Sequence, residues 1–304
     1  MSGGYTHITL AQLAIEKARF QRKERFHEEA RGALGRWKKY CIVGAVAPDY
    51  PYLDVLDSGS TAWADAMHKG GAVELLRGGV AAIRGIEEVN VRDKCTAWLF
   101  GFAAHVSTDG TIHPVVNLKV GPYEENKAAH RRCEMSQDVY AQERLNLGAL
   151  DFNRQISTNV DGTSHADDDG RMDPDVARLW AGMLRGVYPH LGEPKIDDWH
   201  RAMRALMRVG ESGDKLFPFV RHVAANQGLV YPARPEATYI NALAVPGGAT
   251  MGFEAIFERA LANILDLWEW LALSLRGEPS PLDTLKSWSL DSGIDEEDRM
   301  VYWS

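Results

Sequence analysis

Apolar residues recur at intervals of three and four along most of this chain, which is the spacing that one face of an α-helix requires. The first example is formed by Leu10, Leu13, Ala14 and Ala18, and a charged continuation follows it to Arg31. Stretches in which apolar and polar residues alternate, as they do in a half-buried strand, are rare and short. The sequence therefore predicts a mainly α-helical protein.

Six further helices are predicted, with approximate bounds 61–84, 92–106, 124–148, 175–187, 197–209 and 253–275. The polar, acidic segment 153–174 contains glycine and is predicted to be a long exposed loop, and the tail 278–304 is expected to wrap over the surface. We predict a single helical domain, in which residues 1–150 form a motif-bearing core and residues 151–304 are the helical remainder with its C-terminal tail.

Charge and hydropathy exclude some classes of protein. A formal net charge of −8 and a pI near 5.7 argue against a stable nucleic-acid partner, because binding phosphates over a wide area needs a basic surface. The most apolar stretch, 255–275, is interrupted by charged residues and predicts an amphipathic helix packed on the core. A helix lying on a lipid surface is the alternative.

Cysteine usage and the N-terminal residues bear on the compartment. Cys41, Cys95 and Cys133 are too few and too widely spaced for a disulfide framework or a thiolate zinc site, which favours reduced thiols. The N-terminal residues lack the basic start, apolar segment and cleavage site of a secretory signal. We expect a cytoplasmic protein, or one exported by a signal-independent route.

Histidines and carboxylates recur at a spacing of four in the first half of the chain. His105 and Asp109 form one pair, His113 follows four residues later, and His130 and Glu134 form a second pair. Spacing of four places two side chains on one helical face, close enough to hold the same or neighbouring cations. One such pair is common by chance, but two pairs with a further histidine are not.

Three more residues of the same chemical types precede these pairs. His7 lies near the start, Asp49 follows a proline, and His68 ends the segment STAWADAMH. Taken singly, Asp49 could start a turn and His68 could satisfy a core helix. Ligation by histidine and carboxylate without cysteine suits catalytic zinc. Grouped zinc ions lower the pKa of water and neutralise charge on a phosphodiester under attack. The segment 95–114 is expected to be a buried helix that ends where its ligand-type residues begin.

In order along the chain, these residues resemble the zinc-dependent phospholipase C family, whose fold is shared with the single-strand-specific zinc nucleases. The matching elements are His7, VAPD ending at Asp49, WADAMH ending at His68, HVSTD from His105 to Asp109, His113, and HRRCE from His130 to Glu134. The resemblance spans roughly residues 5–140. It implies a helical zinc phospholipase C or zinc nuclease fold with two to three zinc ions.

The resemblance also implies how the ligands are divided. One zinc would be held by Asp49, His68, His105 and Asp109, and a second by His113, His130 and Glu134. A third would be held by His7, Asp109 and the N-terminal amine and carbonyl, with Asp109 bridging two ions. Members of this family expose a tryptophan as their first mature residue, which this chain lacks. Removal of Met1 would offer Ser2 instead, a retained Met1 could also ligate, or the third position could be empty.

The resemblance further implies hydrolysis of a phosphodiester, with Asp49 orienting or deprotonating the attacking water or serving only as a ligand. We favour a glycerophospholipid, cleaved to diacylglycerol and a phosphorylated head group with transient membrane-surface contact, because Glu134 is typical of the lipase branch. Tyr50, Tyr52 and Trp63 are candidates for binding a choline-type ammonium by cation–π attraction or for stacking a nucleobase. They could equally pack in the core.

Two other functions stay open. One is a zinc nuclease acting on single-stranded nucleic acid, and the other is a non-catalytic metal-binding interaction protein. The acidic loop around His165 could attract a cation, but a solvated loop is the simpler interpretation. His27, His190, His200 and His222 show no convincing partners and are interpreted as surface or core residues.

Overall fold

The fold is that of a computed structural model, which describes residues 3–22, 25–54, 57–145, 149–210 and 231–303. Within those ranges the chain forms thirteen α-helices and one antiparallel sheet of two short strands. The helices are α1 (Gly4–Glu16), α2 (Glu28–Arg36), α3 (Lys38–Gly44), α4 (Tyr50–Leu53), α5 (Ser58–Lys69), α6 (Ala72–Arg84), α7 (Val89–Val120), α8 (Lys127–Glu143), α9 (Ala149–Asp161), α10 (Pro174–Val187), α11 (Ile196–Gly210), α12 (Ala237–Ile240) and α13 (Phe253–Leu275). The strands are β1 (Leu243–Ala244) and β2 (Thr250–Met251). The predicted mainly helical fold is confirmed.

Helix α7 forms the centre of the molecule. It has 32 residues, so at the usual rise it is about 48 Å long. Every residue from Cys95 to Val116 is buried. Helices α1, α2, α3, α6, α8, α10 and α13 all pack against it. A helix surrounded in this way is expected to be largely apolar on all its faces, which explains the run of apolar residues that precedes His105.

Two glycines allow α3 and α7 to cross at close range. A Cβ on Gly44 would lie 2.2 Å from the carbonyl oxygen of Trp98, and a Cβ on Gly101 would lie 2.0 Å from that of Cys41. Any side chain at either position would push the helices apart. This contact fixes the residues that follow α3, including Asp49, beside the turn of α7 that carries His105.

The predicted end of the central helix is wrong. Instead of ending near 106, where the ligand-type residues begin, α7 continues through Asp109, His113 and Pro114 to Val120. The polar residues after His105 looked like a helix end, but they are buried by the surrounding helices, and that packing outweighs their weak helix propensity.

Other boundaries differ from the prediction for local reasons. The segment 61–84 is broken into α5 and α6 by two glycines, of which Gly71 has φ +80°. The expected loop at 153–174 begins as α9, because Ile156 and Val160 bury one face of an otherwise polar helix. The first helix ends at Glu16 and is followed by a π-helical turn, so it does not run on to Arg31.

The remaining predicted helices agree more closely with the observed bounds. Helix α8 starts a few residues later than predicted, and residues 146–148 of its predicted end lie outside the described residues. Helices α10, α11 and α13 agree with their predicted bounds to within one residue at each end. None of the described helices is long and apolar enough to span a bilayer.

The second half of the chain packs on the first. Helix α13 lies along α7, and α10 lies along α6.

All three cysteines are buried free thiols, as predicted, and burial raises their pKa above the usual range.

Candidate metal centre

Helix α7 presents three candidate ligands on one face. His105, Asp109 and His113 are one turn apart and project from its buried middle, with 0%, 0% and 2% of their surface exposed. Because α7 does not end at 106, a single rigid helix sets the distances between all three. Asp109 therefore lies between two imidazoles of its own helix.

Asp109 is also the point at which other elements converge. Its Oδ1 lies 3.1 Å from Nε2 of His7, on α1, and 3.4 Å from Nε2 of His113. Its Oδ2 lies 3.1 Å from Nε2 of His105 and 3.6 Å from Nε2 of His68, at the end of α5. The two oxygens thus face different pairs of imidazoles, which is the arrangement expected of a carboxylate that bridges two cations.

Asp49 completes the side of the centre that contains His68. Its Oδ1 lies 3.3 Å from Nε2 of His68 and 3.8 Å from Nε2 of His105. The ligand atoms of Asp49, His68 and His105 all lie within 4.8 Å of one another, so these residues could hold one ion. Those of His7, His105 and Asp109 meet the same criterion and could hold another.

The remaining predicted ligands form a pair on α8. Nδ1 of His130 lies 3.9 Å from Oε1 of Glu134, and both side chains are buried. Helix α8 packs against both α1 and α7, which carry His7 and His113. The expected ligand Ser2 lies outside the described residues, so its role stays a prediction.

Backbone carbonyl groups orient most of the imidazoles. The Nδ1–H groups of His68, His105 and His113 donate to the carbonyl oxygens of Ala64, Ala45 and Leu290, at 2.8, 3.0 and 2.5 Å. A carbonyl oxygen can only accept, so each Nδ1 carries a proton, and in the neutral imidazole Nε2 keeps its lone pair for a cation. His130 is turned the other way, since its Nε2–H donates to the carbonyl of Gly121 at 2.6 Å and leaves Nδ1 towards Glu134.

This orientation is the one that metal binding requires, because a ligating histidine usually donates its other N–H to a protein oxygen. Within the described residues, Nε2 of His68, His105 and His113 and Oδ1 of Asp49 are buried and make no hydrogen bond. Leaving such groups unsatisfied is costly in a native interior. Imidazole nitrogens and carboxylate oxygens without thiolate are a donor set that zinc accepts, so the residues fit the ion.

The C-terminal tail is part of the centre, which the sequence did not predict. Besides accepting from His113, Leu290 donates its own N–H to the carbonyl oxygen of His68 at 2.7 Å. Leu290 and Trp288 are buried, so the expectation that this tail only wraps over the surface is wrong. Backbone carbonyls such as those of Ala45 and Leu290 carry no sequence signal.

Burial and mutual charge shift the pKa of these groups in opposite directions. Burial favours the neutral form of Asp109, but His113, His105 and His7 outweigh it and hold the pKa of Asp109 well below its usual value. The pKa of Asp49 is also lowered, because nearby imidazoles, led by His105, outweigh its burial. Both carboxylates are therefore ionised at neutral pH.

The pKa values of the imidazoles and of Glu134 are shifted in different directions. Burial lowers the pKa of His7, with a further contribution from His105, and burial lowers that of His113 to about 3. Burial also opposes protonation of His105, but Asp109 and Asp49 outweigh it and raise its pKa. Burial raises the pKa of Glu134. Neutral His7 and His113 are ready to bind a cation without first losing a proton.

The three aromatic residues that are candidates for substrate binding have different surroundings. Tyr50 is fully buried and its ring contacts Trp180, and Trp63 is buried against Trp199, which favours the core-packing interpretation for both. Tyr52 lies beside the centre, with its ring centroid 5.6 Å from that of His68.

Comparison with known proteins places this geometry in a family. The family model described as zinc dependent phospholipase C matches residues 6–189, which is more than half of the chain. The chain belongs to the zinc-dependent phospholipase C family. The match to the zinc-dependent phospholipase C model includes His7, Glu134 and all the candidate ligands between them, and it ends before the tail that contacts His68 and His113. No curated protein and no solved structure matches the chain significantly. Membership supports a zinc-dependent hydrolase of the phospholipase C type.

Proposed function

We propose that this protein hydrolyses a glycerophospholipid to diacylglycerol and a phosphorylated head group, using zinc held by the residues around Asp109. The observation that carries the proposal is the convergence of four imidazoles on the two oxygens of this one carboxylate, at 3.1–3.6 Å. Family membership supports the reaction type.

The proposed assignment divides the candidate ligands among three zinc ions, two of which share Asp109. One zinc is assigned to Asp49, His68, His105 and Asp109, a second to His113, His130 and Glu134, and a third to His7 and Asp109 together with Ser2. When bound, zinc supplies Lewis acidity, which lowers the pKa of water and neutralises charge on the phosphodiester. The protein residues fix the positions of the ions and exclude bulk solvent from around them.

Asp49 is proposed as the residue that orients the attacking water and accepts its proton. Among the candidate ligands that the structure describes it is the most exposed, with 6% of its surface accessible against 0–3% for the others. A substrate arriving from solvent would therefore meet Asp49 first. Its lowered pKa keeps the carboxylate ionised at neutral pH and able to accept a proton.

A lipid substrate is favoured over a nucleic acid by two features. Glu134 occupies the position where the family resemblance favours the lipase branch, and the acidic chain lacks the net positive charge that would attract a polynucleotide. Tyr52 remains the candidate for contact with a head-group ammonium. Transient contact with a membrane surface follows from such a substrate.

The test of this function combines metal analysis with three substrates. Purified protein is analysed for zinc and assayed on phosphatidylcholine, single-stranded DNA and bis-p-nitrophenyl phosphate, with and without a chelator. We expect diacylglycerol and phosphocholine from the lipid, loss of activity on chelation and recovery with zinc. Cleavage of the DNA alone would favour the nuclease, and bound zinc without any turnover would favour a non-catalytic metal-binding protein.

The role of Asp49 is tested by Asp49→Asn. Because His68, His105 and Asp109 remain as ligands, we expect this variant to keep zinc but to lose about 10²- to 10⁴-fold in hydrolysis, the usual contribution of a general base. Asp57→Asn is the matched control, because Asp57 is nearby in sequence but pairs with Lys195 at the surface. Loss of zinc in parallel with activity would instead assign Asp49 to ligation alone.

A further inference from the structure

A buried carboxylate outside the proposed ligand set lies next to it on α8. Asp138 follows Glu134 by four residues, as Glu134 follows His130, so all three share one face of the helix. Asp138 is fully buried. The family resemblance gives it no role, and its side chain does not point at the group around Asp109 but at the first turn of α1.

The contacts of Asp138 hold that turn. Its Oδ1 accepts hydrogen bonds from both the backbone N–H and the hydroxyl of Thr6, each at 2.8 Å, and its Oδ2 accepts from the hydroxyl of Tyr231 at 2.8 Å. The first N–H groups of a helix lack full partners inside it, and negative charge is favoured there. Asp138 thus caps the start of α1 as an N-cap side chain would, although it lies on a different helix.

Gly3 makes this arrangement sterically feasible. It occupies the N-cap position of α1 and contributes no side-chain hydrogen bond. A Cβ added to Gly3 would lie 1.9 Å from Oδ2 of Asp138, so any larger residue would displace the carboxylate. Asp138 on α8 therefore supplies a side-chain cap that Gly3 does not.

His7 directly follows Thr6, and its position is unusually constrained. Its ring stacks on that of His105 with centroids 4.0 Å apart, and its Nε2 lies 3.1 Å from Asp109. A small rotation or fraying of the first turn would separate His7 from both. The hydrogen bonds of Thr6 tie α1 to α8 at the residue directly before His7.

We propose that Asp138 is a positioning residue, which anchors the first turn of α1 through Thr6 and thereby holds His7 in place to bind the zinc that it shares with Asp109. The proposal rests on the proposed function for the identity of the ion. The anchoring of α1 itself does not depend on that ion.

The test compares Asp138→Ala, Asp138→Asn and Gly3→Ala in the full-length protein. Asp173→Ala is the matched control, because Asp173 is also a buried carboxylate that caps a helix, α10, and accepts from a tyrosine hydroxyl, but α10 carries no candidate ligand. The measurements are zinc content, zinc affinity in a chelator competition, and hydrogen exchange of residues 3–10 in the chelated protein.

We expect Asp138→Ala and Gly3→Ala to weaken the affinity for the zinc assigned to His7 by about 10- to 100-fold, the usual effect of losing a residue that orients a ligand, while the other assigned zinc ions stay bound. Asp138→Asn keeps an acceptor oxygen and should fall between these and the wild type. Exchange of the amides in 3–10 should accelerate in Asp138→Ala and not in Asp173→Ala.

Two results would overturn the positioning role: wild-type zinc affinity in both Asp138→Ala and Gly3→Ala, or unchanged exchange in residues 3–10. A wild-type protein without zinc would contradict the proposed function instead. The exchange measurement would then still decide whether Asp138 anchors α1.

Discussion

Individual histidines in this protein differ in what their two ring nitrogens contact. In His68, His105 and His113, one nitrogen donates to a backbone carbonyl and the other faces a carboxylate. His200 is equally buried, but its Nε2 is 2.9 Å from the hydroxyl of Ser164, and no carboxylate of the described residues forms an ion pair with it. The first arrangement is suited to cation binding, and the second is an ordinary buried histidine, as the sequence suggested.

His200 gives a prediction for stability as a function of pH. Burial lowers its pKa to about 4 in the folded protein, against about 6.5 in the unfolded chain. The unfolded state therefore binds the extra proton between these values, and stability falls as the pH drops from 6.5 towards 4. This residue accounts for at most about 3 kcal/mol of the loss.

The measurement is urea unfolding of chelated wild type and His200→Gln at several pH values between 4 and 7. The variant should show a shallower loss of stability below pH 6.5. Parallel curves for the two proteins would show that His200 does not remain neutral in the fold.

At the scale of single elements, the sequence predicts some features of a helix and not others. The identities of the candidate ligands on α7 follow from their spacing of four, but the length of the helix does not. Gly110 and Pro114 weaken the local helical pattern, and the helix persists there only because distant residues pack around it. Gly110 faces Trp288 and Tyr302 of the tail, which no local rule connects to it.

Gly110→Ala tests this dependence on packing. A Cβ at Gly110 would lie 2.7 Å from Nε1 of Trp288 and 3.1 Å from the ring of Tyr302. We expect a loss of about 1–3 kcal/mol from overpacking, although alanine is the better helix former. Gly182→Ala on α10 is the control, since nothing lies within 4 Å of its added Cβ and it should be neutral or stabilising. Equal effects of the two substitutions on urea unfolding would contradict the packing account.

The difference between local sequence pattern and packing by distant residues also explains which other features were predicted from the sequence. Helices with strong apolar periodicity, such as α13, were located to the residue. The start of α9 was missed because Ile156 and Val160 are too few to reveal its buried face among polar neighbours. The contacts of Ala45 and Leu290 with the histidines pass through the backbone, so they could be seen only in the fold.

At the scale of the whole molecule, the centre joins elements that are far apart in sequence. Helices α1, α5 and α7 and the segment that holds Asp49 meet there, and the tail at Leu290 contacts it. Without a cation, buried carboxylates and imidazoles with unsatisfied atoms weaken the fold. A cation bound to the native state alone stabilises it.

Removal of metal should therefore lower the melting temperature. With free zinc at about 100 times its dissociation constant, the stabilisation is about 2.7 kcal/mol, so we expect EDTA to lower the melting temperature by about 5 °C or more and added zinc to restore it. Asp173→Asn, away from the centre, should respond as the wild type does. A melting temperature that is unchanged by EDTA and by zinc would argue against a structural contribution from the ion.

The most direct test of the central claim is a crystal structure of the purified protein with anomalous data collected at the zinc edge. We expect at least two zinc peaks beside Asp109, one near His68 and His105 and one on the side of His7 and His113, each about 2.0–2.2 Å from its imidazole nitrogens and carboxylate oxygens. Absence of anomalous density around Asp109 in zinc-supplied crystals would contradict the account.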